Sequence, residues 1–145
     1  MSRLFVILAW FLAVGVAADP PGVKQGVLDM RQWNFKEGGA VPLTGEWRFS
    51  WRQLVDPGSD QAPSSFTYFP VPSVWNNKHA GGQALDGFGY ATYQLTILLP
   101  EDAPKLCLDL PEFHMASALW ANGKLIATAG EVGTTRDREL PKSVP

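Results

Sequence analysis

The sequence contains little cysteine, since Cys107 is the only one in 145 residues. A single thiol cannot form an internal disulfide, so we expect the fold to be held together by packing alone. Asn-x-Ser/Thr sequences are absent as well, and with them the acceptor for N-linked glycosylation. Both absences favour a bacterial protein over a glycosylated eukaryotic surface protein.

Residues that commonly carry catalysis or bind metals are also scarce. The two histidines, His79 and His114, lie far apart in sequence, and neither is spaced from Cys107 as zinc ligands are. No Gly-x-Ser-x-Gly motif is present for an activated serine. The glycine-rich stretch 81–89 lacks the Gly-Lys-Ser/Thr ending of a phosphate-binding loop. The sequence therefore predicts no catalytic residue, metal site or cofactor in this chain.

The first 18 residues have the features of a secretory signal peptide. Arg3 supplies a positive start, residues 4–16 form an apolar run, and Val16, Ala17 and Ala18 are small residues suited to cleavage. The run is shorter than the roughly 20 apolar residues of a membrane-spanning helix. An uncleaved membrane anchor is the alternative interpretation. Cleavage would place the mature chain in the periplasm.

The mature chain would carry a small negative charge. Removing Arg3 leaves 11 of the 12 Lys and Arg residues against 14 Asp and Glu, a net charge of −3. This balance argues against a nucleic-acid partner. We expect contact with a membrane only through helices downstream of this chain or through an uncleaved signal segment.

Apolar residues after residue 26 recur with period two, and no segment shows a sustained helical period beyond one turn within Asp29–Phe35. Strand-like runs cover Val27–Met30, Glu46–Arg52, Phe66–Val71, Tyr90–Leu99, Lys105–Leu110 and Met115–Ala121. Asn122-Gly123 before residues 124–128 predicts a hairpin with a type I′ turn. We predict an all-β, antiparallel β-sandwich over residues 27–145, preceded by a leader over 19–26.

Trp47, Phe49 and Trp51 occupy alternate positions of one predicted strand. Such a row could form a surface on which a sugar ring stacks, or it could be the inner face of the sandwich. The residues between them are charged or carry a hydroxyl, so one face is apolar and the other polar. We assign the row to the core.

Candidate ligand-binding residues lie in loops, where binding residues concentrate on a rigid scaffold. Trp75 offers an aromatic face for a sugar ring, and Asn76, Asn77 and His79 offer polar partners for its hydroxyls. Arg136 lies in a second polar stretch, over residues 130–139. The alternatives are that Trp75 closes one end of the sandwich and that the second stretch is a solvated loop.

Several short motifs resemble known domains when taken in order. They are Leu43–Phe49, Val71–Asn76, Gly89–Tyr93 and Leu119–Lys124. These pieces resemble the galactose-binding-like jelly roll that opens family 2 glycoside hydrolases. They resemble still more the extracellular domain of bacterial seven-transmembrane receptors with diverse intracellular signalling modules, because Ala129–Arg136 is similar to the receptor sequence after the hairpin. Ser73-Val74 departs from the Pro-Gly usual in this pattern, so the turn there is expected to differ.

The resemblance implies a jelly-roll domain, with its last strands beyond Pro145, that senses a small, carbohydrate-like ligand in the periplasm for a transmembrane receptor. It implies no enzymatic activity here, since any catalytic domain would follow this chain. One alternative is the accessory sugar-binding domain of a family 2 glycoside hydrolase. A partner-docking structural module is the other. No established ligand residues carry over from the family.

Overall fold

The structure is a computed structural model that describes residues 19–57, 65–110 and 115–135. Its strands are β1 (Val27–Asp29), β2 (Gly45–Trp51), β3 (Thr67–Val71), β4 (His79–Ala80), β5 (Gln83–Ala84), β6 (Ala91–Gln94), β7 (Thr96–Leu98), β8 (Ser117–Ala121) and β9 (Lys124–Ala129). One short helix, α1 (Phe35–Gly38), follows β1. The predicted signal peptide, Met1–Ala18, lies outside the described residues.

The expected all-β composition is confirmed. β2 is the centre of an antiparallel sheet of order β3-β2-β6, and β4-β5 and β8-β9 are antiparallel pairs. The antiparallel prediction is wrong for β1, which pairs with β7 in parallel, Val27 facing Thr96. Alternation of apolar and polar residues fixes which face a side chain occupies, but it is the same for either strand direction.

Two predicted strands differ from those observed. Tyr90–Leu99 is divided at Leu95 into β6, which pairs with β2, and β7, which pairs with β1. Lys105–Leu110 forms no strand, and the side chains of Leu106, Leu108 and Leu110 are 39–45% exposed. Its alternating leucines are typical of a half-buried strand, but no described strand pairs with the segment. A local pattern therefore does not guarantee a partner.

Two hairpins close on turns with left-handed backbone. The predicted type I′ turn is confirmed, with φ of 50° at Asn122 and 74° at Gly123. Gly81 and Gly82, with φ of 58° and 80°, connect β4 to β5 in the same way. The sequence predicted no hairpin at this second glycine pair, because two-residue strands are too short to show a period.

The buried apolar residues form two groups. The first core cluster comprises Phe49, Phe69, Ala80 and Leu85, with Trp51, Trp75 and Tyr93 packed against it. The second core cluster comprises Val23, Leu28 and Met30, with Trp47 and Leu95 among the residues packed against it. Strand β2 contributes to both clusters and joins them along the chain.

The aromatic row of β2 lies largely in these clusters, as predicted. Phe49 is only 1% exposed and stacks on Phe69 with ring centroids 4.8 Å apart. Trp47 and Trp51 are half-buried at the edges of the second and first cluster. The opposite face of β2 is less exposed to solvent than expected, because Ser50 on that face is only 1% exposed. The Ser50 Oγ has no hydrogen-bond partner among the described residues.

Candidate functional site

The end of strand β2 carries the candidate site. Trp51, its last residue, stacks on Phe49 at 6.0 Å and meets Trp75 edge-on at 4.9 Å between ring centroids. A methyl group at Gly89 would overlap the benzo ring of Trp51, so only glycine leaves room for the indole there. These contacts hold Trp51 on three sides while part of its side chain remains exposed.

Trp75 is fixed in the aromatic cluster rather than displayed on a loop tip. Its indole Nε1 donates a hydrogen bond to the Tyr93 hydroxyl at 2.7 Å, and its ring is half-buried. The Trp75 carbonyl accepts from Lys78 N at 3.0 Å, closing a turn that has Asn77 at a φ of 58°. This packing supports the alternative that Trp75 closes one end of the core.

Three further candidates from the sequence, Asn76, Asn77 and His79, are exposed. Asn76 places its Oδ1 beside Gly87, in the loop that leads to Gly89, and Gly89 faces the Trp51 ring. Asn77 serves the turn after Trp75, and His79 is exposed in β4, paired with Ala84 of β5. Arg136 lies outside the described residues. The structure therefore brings Trp75 to Trp51 in the aromatic cluster.

An open groove of about 530 Å³ lies beside Trp51. It is lined by Trp51, Arg52, Gln53, Ser65, Gln83 and Ala84. Gln53 Nε2 donates to the Ser65 carbonyl at 3.3 Å and to the Ser65 hydroxyl at 3.1 Å, which ties two walls of the groove together. Thr92 Oγ1 donates to the Gln53 carbonyl at 2.7 Å and anchors this segment to β6.

Sequence reasoning identified Trp51 as a core residue and missed the polar lining of the groove. Arg52 and Gln53 directly follow β2, Ser65 lies shortly before β3, and Gln83 lies in β5 of the β4–β5 hairpin. No local pattern joins these segments. The only signal in the sequence was the pair Arg52-Gln53, two polar residues directly after the strand that ends at Trp51.

Arg52 supplies the charge of the groove. Its backbone N–H donates to the Tyr90 carbonyl at 2.8 Å, and its φ of 53° is left-handed, which is uncommon for a residue with a long side chain. The guanidinium carbon lies 5.9 Å from the centroid of the Trp51 ring. Asp86 approaches the guanidinium to 4.0 Å, and both side chains are more than half exposed.

Tyr93, which accepts the hydrogen bond from Trp75, has a displaced pKa. Burial raises the pKa of its phenol above the ordinary value of 10.0, and the hydrogen bond donated by Trp75 opposes part of that rise. Above pH 10 the unfolded chain therefore loses this proton before the folded chain does. The free energy of unfolding falls as the pH rises from 10 through the folded pKa.

We expect Tyr93→Phe to lower the free energy of unfolding by about 1 kcal/mol at pH 7, because the Trp75 indole loses its acceptor. The same substitution should reduce the loss of stability above pH 10, since the titrating phenol is gone. Urea unfolding monitored by tryptophan fluorescence between pH 7 and pH 11 measures both effects. Tyr68→Phe, on the exposed outer face of β3, is the matched control. An unchanged alkaline slope in Tyr93→Phe would contradict the assignment.

Comparison with protein-family models, with curated proteins and with solved structures found no match to this chain. Within residues 19–57, 65–110 and 115–135, no cluster of three or more His, Cys, Asp or Glu side chains is arranged to hold a metal ion. The same residues include no helix long and apolar enough to cross a membrane. The groove can offer stacking, hydrogen bonds and one positive charge to a ligand.

Proposed function

We propose that this chain is a carbohydrate-binding sensory domain of the jelly-roll type, located in the periplasm at the N-terminus of a bacterial transmembrane receptor. The observation that carries the proposal is the polar groove beside Trp51. The domain acts by binding and contributes no catalytic residue. The ligand it senses is a small sugar.

A sugar ring has an apolar face of C–H groups and a rim of hydroxyls. Trp51 offers aromatic surface for the C–H face, and the side chains of Gln53, Ser65 and Gln83 offer hydrogen-bonding groups for the hydroxyls. The groove volume of about 530 Å³ falls within the roughly 300–1,000 Å³ of small-molecule sites. The groove therefore combines the size and the mixture of surfaces that a sugar requires.

The receptor assignment rests on the resemblance of the ordered motifs. Two of them include residues that support the groove. In the motif Gly89–Tyr93, Gly89 abuts Trp51, and Tyr93 accepts a hydrogen bond from Trp75 of the motif Val71–Asn76. The signal-peptide-like start supports export to the periplasm. A family 2 hydrolase accessory domain would share these features, and the sequence after Pro145 separates the two: apolar helices indicate a receptor and a catalytic barrel indicates a hydrolase.

We expect at least one neutral or acidic monosaccharide or disaccharide to raise the melting temperature of the mature chain. A ligand at 100 times its dissociation constant stabilises the folded state by about 2.7 kcal/mol. Gln83→Ala, which alters an exposed groove residue, should weaken this shift. Gln32→Ala, on the exposed bend after β1, should leave it unchanged. A sugar panel that gives no shift, or equal losses in both variants, would refute the groove as the site.

A partner-docking module is the second candidate, and a different observation favours it. The leucines at 106, 108 and 110 are exposed, as are Leu125 and Ile126, each 50% exposed in β9. Within residues 115–135 no side chain is fully buried. Apolar surface of this kind marks interaction sites in folded proteins. Absence of any sugar-induced shift would favour this candidate over a sugar sensor.

A further inference from the structure

Among the described residues, the lining of the groove is neutral apart from one. Trp51, Gln53, Ser65, Gln83 and Ala84 carry no charge, and Arg52 brings a positive one. A neutral sugar needs no cation, because amides and hydroxyls satisfy its hydroxyl groups. The guanidinium adds a group suited to an anion, and its planar array of donors matches a carboxylate in a two-point contact.

The backbone of Arg52 is held in a defined conformation. The residue adopts a left-handed conformation that costs free energy for a non-glycine residue, and its N–H is held by the Tyr90 carbonyl. The guanidinium also lies near the face of Trp51, at 5.9 Å from the ring centroid. A charge beside the Trp51 ring can contact a substituent of a sugar ring that lies against the exposed part of Trp51.

Asp86 interacts only weakly with the Arg52 guanidinium. Its Oδ2 lies 4.0 Å from Arg52 Nη2, beyond hydrogen-bond distance, and its side chain is 71% exposed. An exposed ion pair of this geometry contributes little to stability. A ligand carboxylate can therefore displace Asp86 without breaking a hydrogen bond, and Asp86 competes with it by charge.

We propose that the groove is selective for sugars that carry a carboxylate, of the uronic-acid class, with Arg52 as the residue that recognises the carboxylate. The inference rests on the proposed sugar-binding function of the same groove. The sugar ring lies against the exposed part of Trp51, its hydroxyls contact Gln53, Ser65 and Gln83, and its carboxylate replaces that of Asp86 at Arg52.

Galacturonate and galactose are matched probes, because they differ only at the carboxylate carbon. We expect isothermal titration calorimetry of the mature chain to give at least tenfold tighter binding of galacturonate. Arg52→Gln should remove this preference and leave galactose affinity within about twofold. Asp86→Asn should strengthen galacturonate binding, because it removes the competing charge. Added salt should weaken galacturonate binding and spare galactose.

Arg48→Gln is the matched control, since Arg48 lies on the opposite face of β2, over the Phe66 ring at 4.8 Å. It should leave both affinities unchanged. Equal binding of the two sugars by the wild type would overturn the selectivity and leave the sugar-binding function intact. If neither sugar binds, and no other pair of acidic and neutral sugars binds, both the selectivity and the sugar-binding function are overturned. If Arg52→Gln fails to fold, weaker galacturonate binding by Asp86→Asn would still refute the proposal.

Discussion

Phe49→Ala is expected to lower the free energy of unfolding by about 3–5 kcal/mol, the cost of removing a buried phenylalanine ring. Phe49 is 1% exposed and touches the rings of Phe69 and Tyr93 at centroid distances of 4.8 and 5.0 Å. The cavity would open at the centre of the first core cluster, where rigid aromatic rings cannot collapse into it. A loss of this size is a large fraction of the roughly 5–15 kcal/mol that stabilises a typical domain.

Denaturant unfolding, followed by circular dichroism, measures this loss. Phe66→Ala is the matched control, because it removes the same ring from the outer face, where Phe66 is 46% exposed and contacts Arg48. We expect the control to cost about 1 kcal/mol or less. Comparable losses in the two variants would show that the inner face of β2 is not the centre of the core.

Gly45→Ala is expected to cost about 3 kcal/mol or more, because two effects add. Gly45 has a φ of 133°, a conformation that side chains rarely adopt, and strain of this kind costs about 1–3 kcal/mol. A methyl group there would also overlap the Val23 carbonyl. That carbonyl accepts from Glu46 N at 3.1 Å, and Val23 N donates to the Thr44 carbonyl at 2.9 Å. The substitution would separate the leader from β2.

Thermal unfolding of Gly45→Ala beside Gly82→Ala separates the two effects. Gly82 also has a positive φ, of 80°, but a methyl group there would meet nothing within 4 Å. We expect this control to cost only about 1–2 kcal/mol, the penalty of left-handed backbone. Equal melting temperatures for the two variants would mean that the contact with Val23 contributes nothing.

Local sequence patterns correctly predicted elements whose pairing partners are close in sequence. Asn122-Gly123 fixes its hairpin because the backbone conformation that the turn needs is intrinsic to those two residues. The alternation around Phe49 correctly identified an inner face. The same rule failed at residues 105–110, where the pattern is present and no described strand pairs with it, and at Ser50, which is buried on the face expected to be wet.

The candidate site was much less predictable, because its residues become neighbours only through the tertiary fold. Trp75 was a reasonable candidate from its polar surroundings in sequence, but its hydrogen bond to Tyr93 draws it into the aromatic cluster. Trp51 was assigned to the core and lies partly there, while it also forms a wall of the groove. At the end of a strand, one aromatic side chain can belong to the core and also line a groove, because part of its ring is buried and part is exposed.

The parallel pairing of β1 with β7 has a consequence for the order in which the chain folds. Val27 lies beside Thr96, 69 residues further along the chain (96 − 27 = 69). Such a contact closes a long loop, and contacts of high sequence separation slow folding because the loop entropy is lost before the contact is formed. During synthesis Leu28 emerges early, yet β1 cannot acquire its strand partner until β7 has been made. Within the first core cluster, by contrast, the most distant pair, Phe49 and Tyr93, is separated by only 44 residues (93 − 49 = 44).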